Sequence, residues 1–100
     1  VAARKRPRAE RRQLDRDVQK LIDARERLAR LEPGGEPSRP IEVPSASVLE
    51  VRALTHRCLA CDAELRVHEH RAHRDLRELE LACKQCGRRR ILWMRVSLPS

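Results

Sequence analysis

The side chains in this sequence with the most chemistry to offer are four cysteines in two pairs, Cys58-Leu59-Ala60-Cys61 and Cys83-Lys84-Gln85-Cys86-Gly87, with 21 residues between Cys61 and Cys83. Thiolate sulfur is a soft ligand. A Cys-x-x-Cys turn places two sulfurs on one side of an ion, with backbone N–H groups turned toward them. Two such turns close a tetrahedral cage, so Cys58, Cys61, Cys83 and Cys86 are expected to hold one structural Zn²⁺. Gly87 follows the second pair where the turn needs a left-handed residue, and Asp62 takes the same place after the first.

Other chemistry is sparse. His56 lies two residues before Cys58, but four cysteines already satisfy an ion. His68, His70 and His73 cluster without the carboxylate spacing of a second site, which reads as surface histidines. No nucleophile, acid and base stand together, so the expectation is no enzyme and no small-molecule substrate. Iron in a rubredoxin-like core is a competing use of the cysteines, but such cores are aromatic-rich and acidic, whereas Trp93 is the only aromatic here. Redox-active thiols, or a sensor that releases zinc on oxidation, are another.

The elements that must position the cysteines follow from periodicity. Residues 1–8 are a basic arm expected to be disordered, with Pro7 interrupting any early helix. Residues 9–32 repeat apolar side chains at helical spacing. Leu14, Val18, Leu21 and Leu28 form a stripe for a partner helix, Ile22 and Ala29 widen it, and Arg25 interrupts it. Asp23 before Arg27 and Glu26 before Arg30 stand at the i,i+4 spacing that supports a helix.

Residues 33–47 hold four of the six prolines and two of the three glycines, a linker whose Ile41 and Val43 alternate as if along a sheet edge. From Val48 the period becomes two, predicting strands through Leu49, Val51 and Ala53, through Leu65 and Val67, through Leu79 and Leu81, and over 90–98. The last strand is apolar on both sides, Ile91 and Trp93 against Leu92, Met94, Val96 and Leu98. It therefore demands cover on both, and the N-terminal helix is expected to supply one.

This order of strand, knuckle, hairpin, knuckle and returning strand over residues 48–98 resembles the zinc-ribbon superfamily. The resemblance implies that the four knuckle cysteines are the ligands, and it says little of activity. Ribbons of elongation factors carry an acidic pair at the hairpin tip, whereas the tip here reads Arg71-Ala72-His73-Arg74-Asp75. The expected fold is thus a small α+β, metal-stapled domain: an N-terminal α-helix, a proline-rich linker and an antiparallel β zinc ribbon of three to four strands.

The chain carries a formal net charge of +8, and arginine supplies 20 of its 23 basic residues. The planar guanidinium donates bidentately to phosphate, which points to DNA or RNA, or to a protein complex acting on them in transcription or translation. Three groups would make the contact. They are Arg4, Lys5, Arg6, Arg8, Arg11 and Arg12 in and beside the arm; Arg71, Arg74 and Arg77 near the hairpin tip; and Lys84, Arg88, Arg89 and Arg90 beside the second knuckle. Without Tyr or Phe, binding is expected to follow the nucleic-acid backbone more than base identity. The alternative is a protein-interaction adaptor that binds a helical partner, or a second copy, through the Leu14 stripe. The absence of any long apolar run predicts a cytoplasmic chain without membrane contact.

Overall fold

The computed structural model describes residues 7–97. Arg4, Lys5 and Arg6 of the basic arm, and Leu98 of the last strand, lie outside them. The element order is α1 (Arg8–Leu31), β1 (Ile41–Val43), a 3₁₀ turn (Ala46–Val48), α2 (Leu49–Ala53), β2 (Leu65–His73), β3 (Leu76–Cys83) and β4 (Arg89–Val96).

α1 is rich in Arg, Gln, Leu and Ala, residues that lose little on entering a helix. Pro7 opens it, where its missing N–H costs nothing, and its carbonyl accepts from Arg11 N at 3.1 Å. The polar face is laced by amide contacts, Gln13 Nε2 to Asp17 at 2.9 Å and Gln19 Nε2 to Asp23 at 2.9 Å. With Asp23 engaged by Gln19, the Asp23–Arg27 and Glu26–Arg30 pairs expected from spacing are not among the ion pairs of the described residues. At the C-terminus, Glu32 N bonds to Ala29 O and Arg39 Nη1 donates to Leu31 O at 2.8 Å.

The sheet has the order β1-β4-β3-β2. β2, β3 and β4 form an antiparallel meander, and β1 adds parallel to β4 with Ile41 opposite Met94 and Val43 opposite Val96. Alternation along each strand then gives two unlike faces. One face presents Leu65, Leu79, Leu81, Cys83, Leu92 and Met94, joined by Ile41 and Val43, and is buried. The other carries Arg71, Glu78, Glu80, Arg89 and Trp93, and stays open.

Two expectations are corrected here. Residues 48–53 are not a strand: Leu49 and Ala53, four apart, are fully buried on one face of a short helix, while Val51 is 68% exposed. A run of Leu-x-Val-x-Ala fits period two and an i,i+4 face equally well, and the need to cover the sheet selects the helix. The second correction concerns that cover. α2, not α1, packs on the apolar face through Leu49 and Ala53, and the Ile91 side of β4 is left open, with Ile91 42% exposed.

α1 instead leans on the first knuckle. Its buried residues are Ile22 and Ala29, and Arg25 Nη1 donates to Leu59 O at 3.3 Å. Its N-terminal turns run on past that contact, and the described residues extend 66 Å along their longest axis against 23 and 17 Å across it.

Candidate metal centre

The two knuckles are built alike. Cys58 N donates to Ala63 O and Asp62 N to Cys58 O, at 3.0 and 2.9 Å; Cys83 N donates to Arg88 O and Gly87 N to Cys83 O, at 2.9 and 3.2 Å. The fifth residue of each turn is left-handed, Asp62 at φ 60° and Gly87 at φ 75°. The positions foreseen from spacing are the ones that carry the strained backbone. Lys84 N to Glu64 O at 3.0 Å, and Lys84 Nζ to Glu64 at 3.1 Å, tie the loops together.

The four sulfurs lie within 4.8 Å of one another. The nearest pairs are Cys61 with Cys83 at 3.4 Å and Cys58 with Cys86 at 3.6 Å, each pair joining the two knuckles. A tetrahedral ion with bonds of about 2.3 Å holds its sulfurs about 3.8 Å apart, so the donor set fits one metal ion and no disulfide is present. Four sulfurs in tetrahedral disposition select zinc or iron over harder cations. A metal with four protein ligands has no open position, so its chemistry when bound is to hold the knuckles together. Among the described residues no other group of His, Cys, Asp and Glu gathers in this way, and neither His56 nor the hairpin histidines join the site.

Backbone N–H groups prepare the cage for negative charge. Cys86 N and Gln85 N both point at Cys83 Sγ at 3.4 Å, and they hold that thiol down to about 6 against the cost of its desolvation. The Ala63 amide favours the Cys61 thiolate, but neighbouring Cys83, desolvation, Cys58 and Cys86 together push it up to about 12. Cys86 is also raised: the Arg88 amide works in its favour, and desolvation with the Cys58 and Cys83 sulfurs outweighs it. Cys83 is thus the sulfur that most favours the thiolate, while Cys61 and Cys86 favour the thiol. A divalent ion would favour the thiolate at all four.

The arginines divide into two classes. Arg71 is held by Glu69, Glu78 and Glu80; burial works against its charge, but the three carboxylates raise its pKa. Arg89 donates to Glu80 at 2.9 Å, and Lys84 is taken by Glu64. Arg90 reaches under the first knuckle to Arg57 O at 2.9 Å and is lowered by desolvation. By contrast Arg8, Arg11, Arg12, Arg74 and Arg88 are exposed, and Arg77 half-buried, without a carboxylate partner among the described residues. A cleft of about 350 Å³ opens between the end of α1 and the knuckles, bordered by Arg30, Ala29, Leu59, Ala60 and Arg88.

On the open face Arg71 reaches both Glu78 and Glu80, and each carboxylate also meets a histidine. His73 Nε2 meets Glu78 at 2.7 Å and stands 5.7 Å from the Trp93 ring, while His68 approaches Glu80 at 3.6 Å. The spacing of Arg71 did not disclose this network. The alternation of Glu78 and Glu80 along β3, with Arg71 directly opposite Glu78 on β2, was its signal.

Among the described residues no helix is long and apolar enough to cross a membrane. Compared with protein-family models, with curated proteins and with solved structures, the chain has no match, so its chemistry is read from its own residues.

Proposed function

We propose that this chain is a non-enzymatic module of zinc-ribbon type, in which zinc holds the knuckles and unpaired arginines bind the phosphate backbone of DNA or RNA. The observation that carries the reading is the division among the arginines. Arg71 and Arg89 on the open sheet face are neutralised by Glu69, Glu78 and Glu80, whereas Arg8, Arg11 and Arg12 stand on the free end of α1, Arg74 at the hairpin tip and Arg88 at the second knuckle with no acidic partner among the described residues. Unpaired guanidinium groups are the ones that gain by meeting phosphate.

Zinc is the preferred ion because four thiolates satisfy it completely and it carries out no redox step of its own. Trp93 sits beside His73 on the ion-paired face, which favours backbone contact over base stacking.

Fluorescence anisotropy with a short duplex DNA and a single-stranded RNA, over a series of salt concentrations, tests this reading. Binding should weaken with log[salt] at a slope of about 0.9 per phosphate contacted on the duplex, and Arg8→Gln, Arg11→Gln and Arg12→Gln together should flatten the slope. A chain that binds neither probe at low salt refutes it.

A further inference from the structure

Resting on the nucleic-acid reading above, we infer that the cleft between the end of α1 and the knuckles seats one nucleotide of a single strand, with its phosphate between Arg30 and Arg88. Two separate parts of the chain bring these arginines to one place. Arg30 stands in the last turn of α1 and Arg88 just past the second knuckle, and both line the cleft. Both are exposed, and neither has a carboxylate partner among the described residues.

Most other charges around the cleft are already answered. Arg89 is paired with Glu80 at 2.9 Å, and Glu80 also receives Arg71. Arg90 is half-buried, donates to Arg57 O at 2.9 Å and stands beside Cys58, so its charge serves the thiolates of the cage. Glu26 is the one acid of the lining left outside an ion pair among the described residues. Arg30 and Arg88 are the two cations free to turn to a ligand, and a ligand that meets both is an anion.

Size and floor select which anion. At about 350 Å³ the cleft lies at the small end of pockets that take small molecules, ~300–1,000 Å³, so it has room for a nucleotide and none for a paired duplex. Leu59, Ala60 and Ile91 give it apolar surface, and Ile91 is 42% exposed as it stands. An inorganic anion leaves that surface wet, whereas a nucleotide lays its base and sugar over it. Bases in a duplex are stacked inside and reach a pocket only when flipped out at a cost, while a single strand presents them freely. The aliphatic floor has no ring for stacking and no donor or acceptor for a base edge, so the contact is indifferent to sequence.

Fluorescence anisotropy on the full zinc-loaded chain, with a labelled oligothymidylate and a duplex of the same length, provides the test. Arg30→Gln with Arg88→Gln should weaken the single strand about tenfold more than the duplex, which the free end of α1 can hold through Arg8, Arg11 and Arg12. Glu26→Gln removes the opposing acid and should tighten the single strand. Zinc stoichiometry should stay at one in these variants. A chain that binds neither probe loses the nucleic-acid reading altogether. Binding to both probes with equal losses in the arginine variant leaves that reading standing and overturns the cleft as its site. Displacement of the strand by poly-glutamate at matched charge gives the cleft to an acidic protein instead.

Discussion

The amide of Trp93 donates to the carbonyl oxygen of Gly34 at 2.8 Å, so the turn after α1 is stitched to the outer edge of β4. Gly34 also sits in a close fit. A Cβ there would lie 2.7 Å from Ile41 Cδ1 and 3.4 Å from Leu92, on a backbone at φ +89°. Gly87 is left-handed too, but a Cβ on it meets nothing within 4 Å. Gly87→Ala should therefore cost only the conformational term, about 1–2 kcal/mol, and Gly34→Ala distinctly more. Urea denaturation of the two zinc-loaded variants checks the order; equal losses would contradict the packing at Gly34.

The same bond sets where the N-terminus can be cut. Removing residues 1–20 takes away only the projecting turns of α1 and should leave the melting temperature nearly unchanged. Removing residues 1–35 takes away the buried Ile22 and Ala29, the bond from Arg25 to Leu59 and the bond from Trp93 to Gly34, and should lower it markedly. Differential scanning calorimetry at low concentration compares the two; identical melting points would show that α1 contributes nothing to the folded body.

Metal removal should unfold the domain, because ion binding at four thiolates is worth on the order of 10 kcal/mol and the remaining core is small. A strong chelator should abolish near-ultraviolet dichroism, with one zinc released per chain. Since thiolates and not thiols ligate the ion, rebinding at neutral pH should expel protons from the cysteines. Acid works in reverse: as pH falls through the Cys83 value protons compete with the ion for the last thiolate as well, and affinity drops. Calorimetric titration in buffers of different ionisation enthalpy counts the protons, and zinc binding without proton release would contradict these assignments.

Arginine substitutions should separate binding from stability. Arg71→Gln leaves Glu69, Glu78 and Glu80 without their shared cation, so it should lower the melting temperature while leaving the salt slope of nucleic-acid binding unchanged. Arg11→Gln with Arg12→Gln should do the opposite. Paired measurements of melting and anisotropy on both variants check this; loss of binding in Arg71→Gln would return the hairpin face to the interface.

α2 offers a contrast within five residues. Leu49→Ala removes a fully buried side chain from the cover of the sheet and should cost about 2–5 kcal/mol. Val51→Asp, at a position 68% exposed, should cost little. In a strand, Leu49 and Val51 would share a face and both changes would be severe, so the two denaturation midpoints report directly on the helix.

What could be read along the chain is what short-range rules govern. The cysteine spacing, with Gly87 and Asp62 at the left-handed positions, specifies a metal cage because each knuckle closes on itself within six residues. The seven-residue recurrence of Leu14, Leu21 and Leu28 specifies a helix by the same local logic, and the alternation from Leu76 to Cys83 a strand.

Three matters belonged to the tertiary structure. Leu49, Val51 and Ala53 suit two periods, and only the uncovered sheet beside them selected the helix. The linker's Gly34 became a strand-edge partner only because Trp93 arrived there from 59 positions away. The arginines looked alike in sequence, yet Arg71 and Arg89 lost their freedom to carboxylates brought across the strands while Arg11 and Arg88 kept theirs. Local geometry is decided by neighbours in the chain, whereas burial and charge pairing depend on which distant residues share the space, and no single segment holds that information.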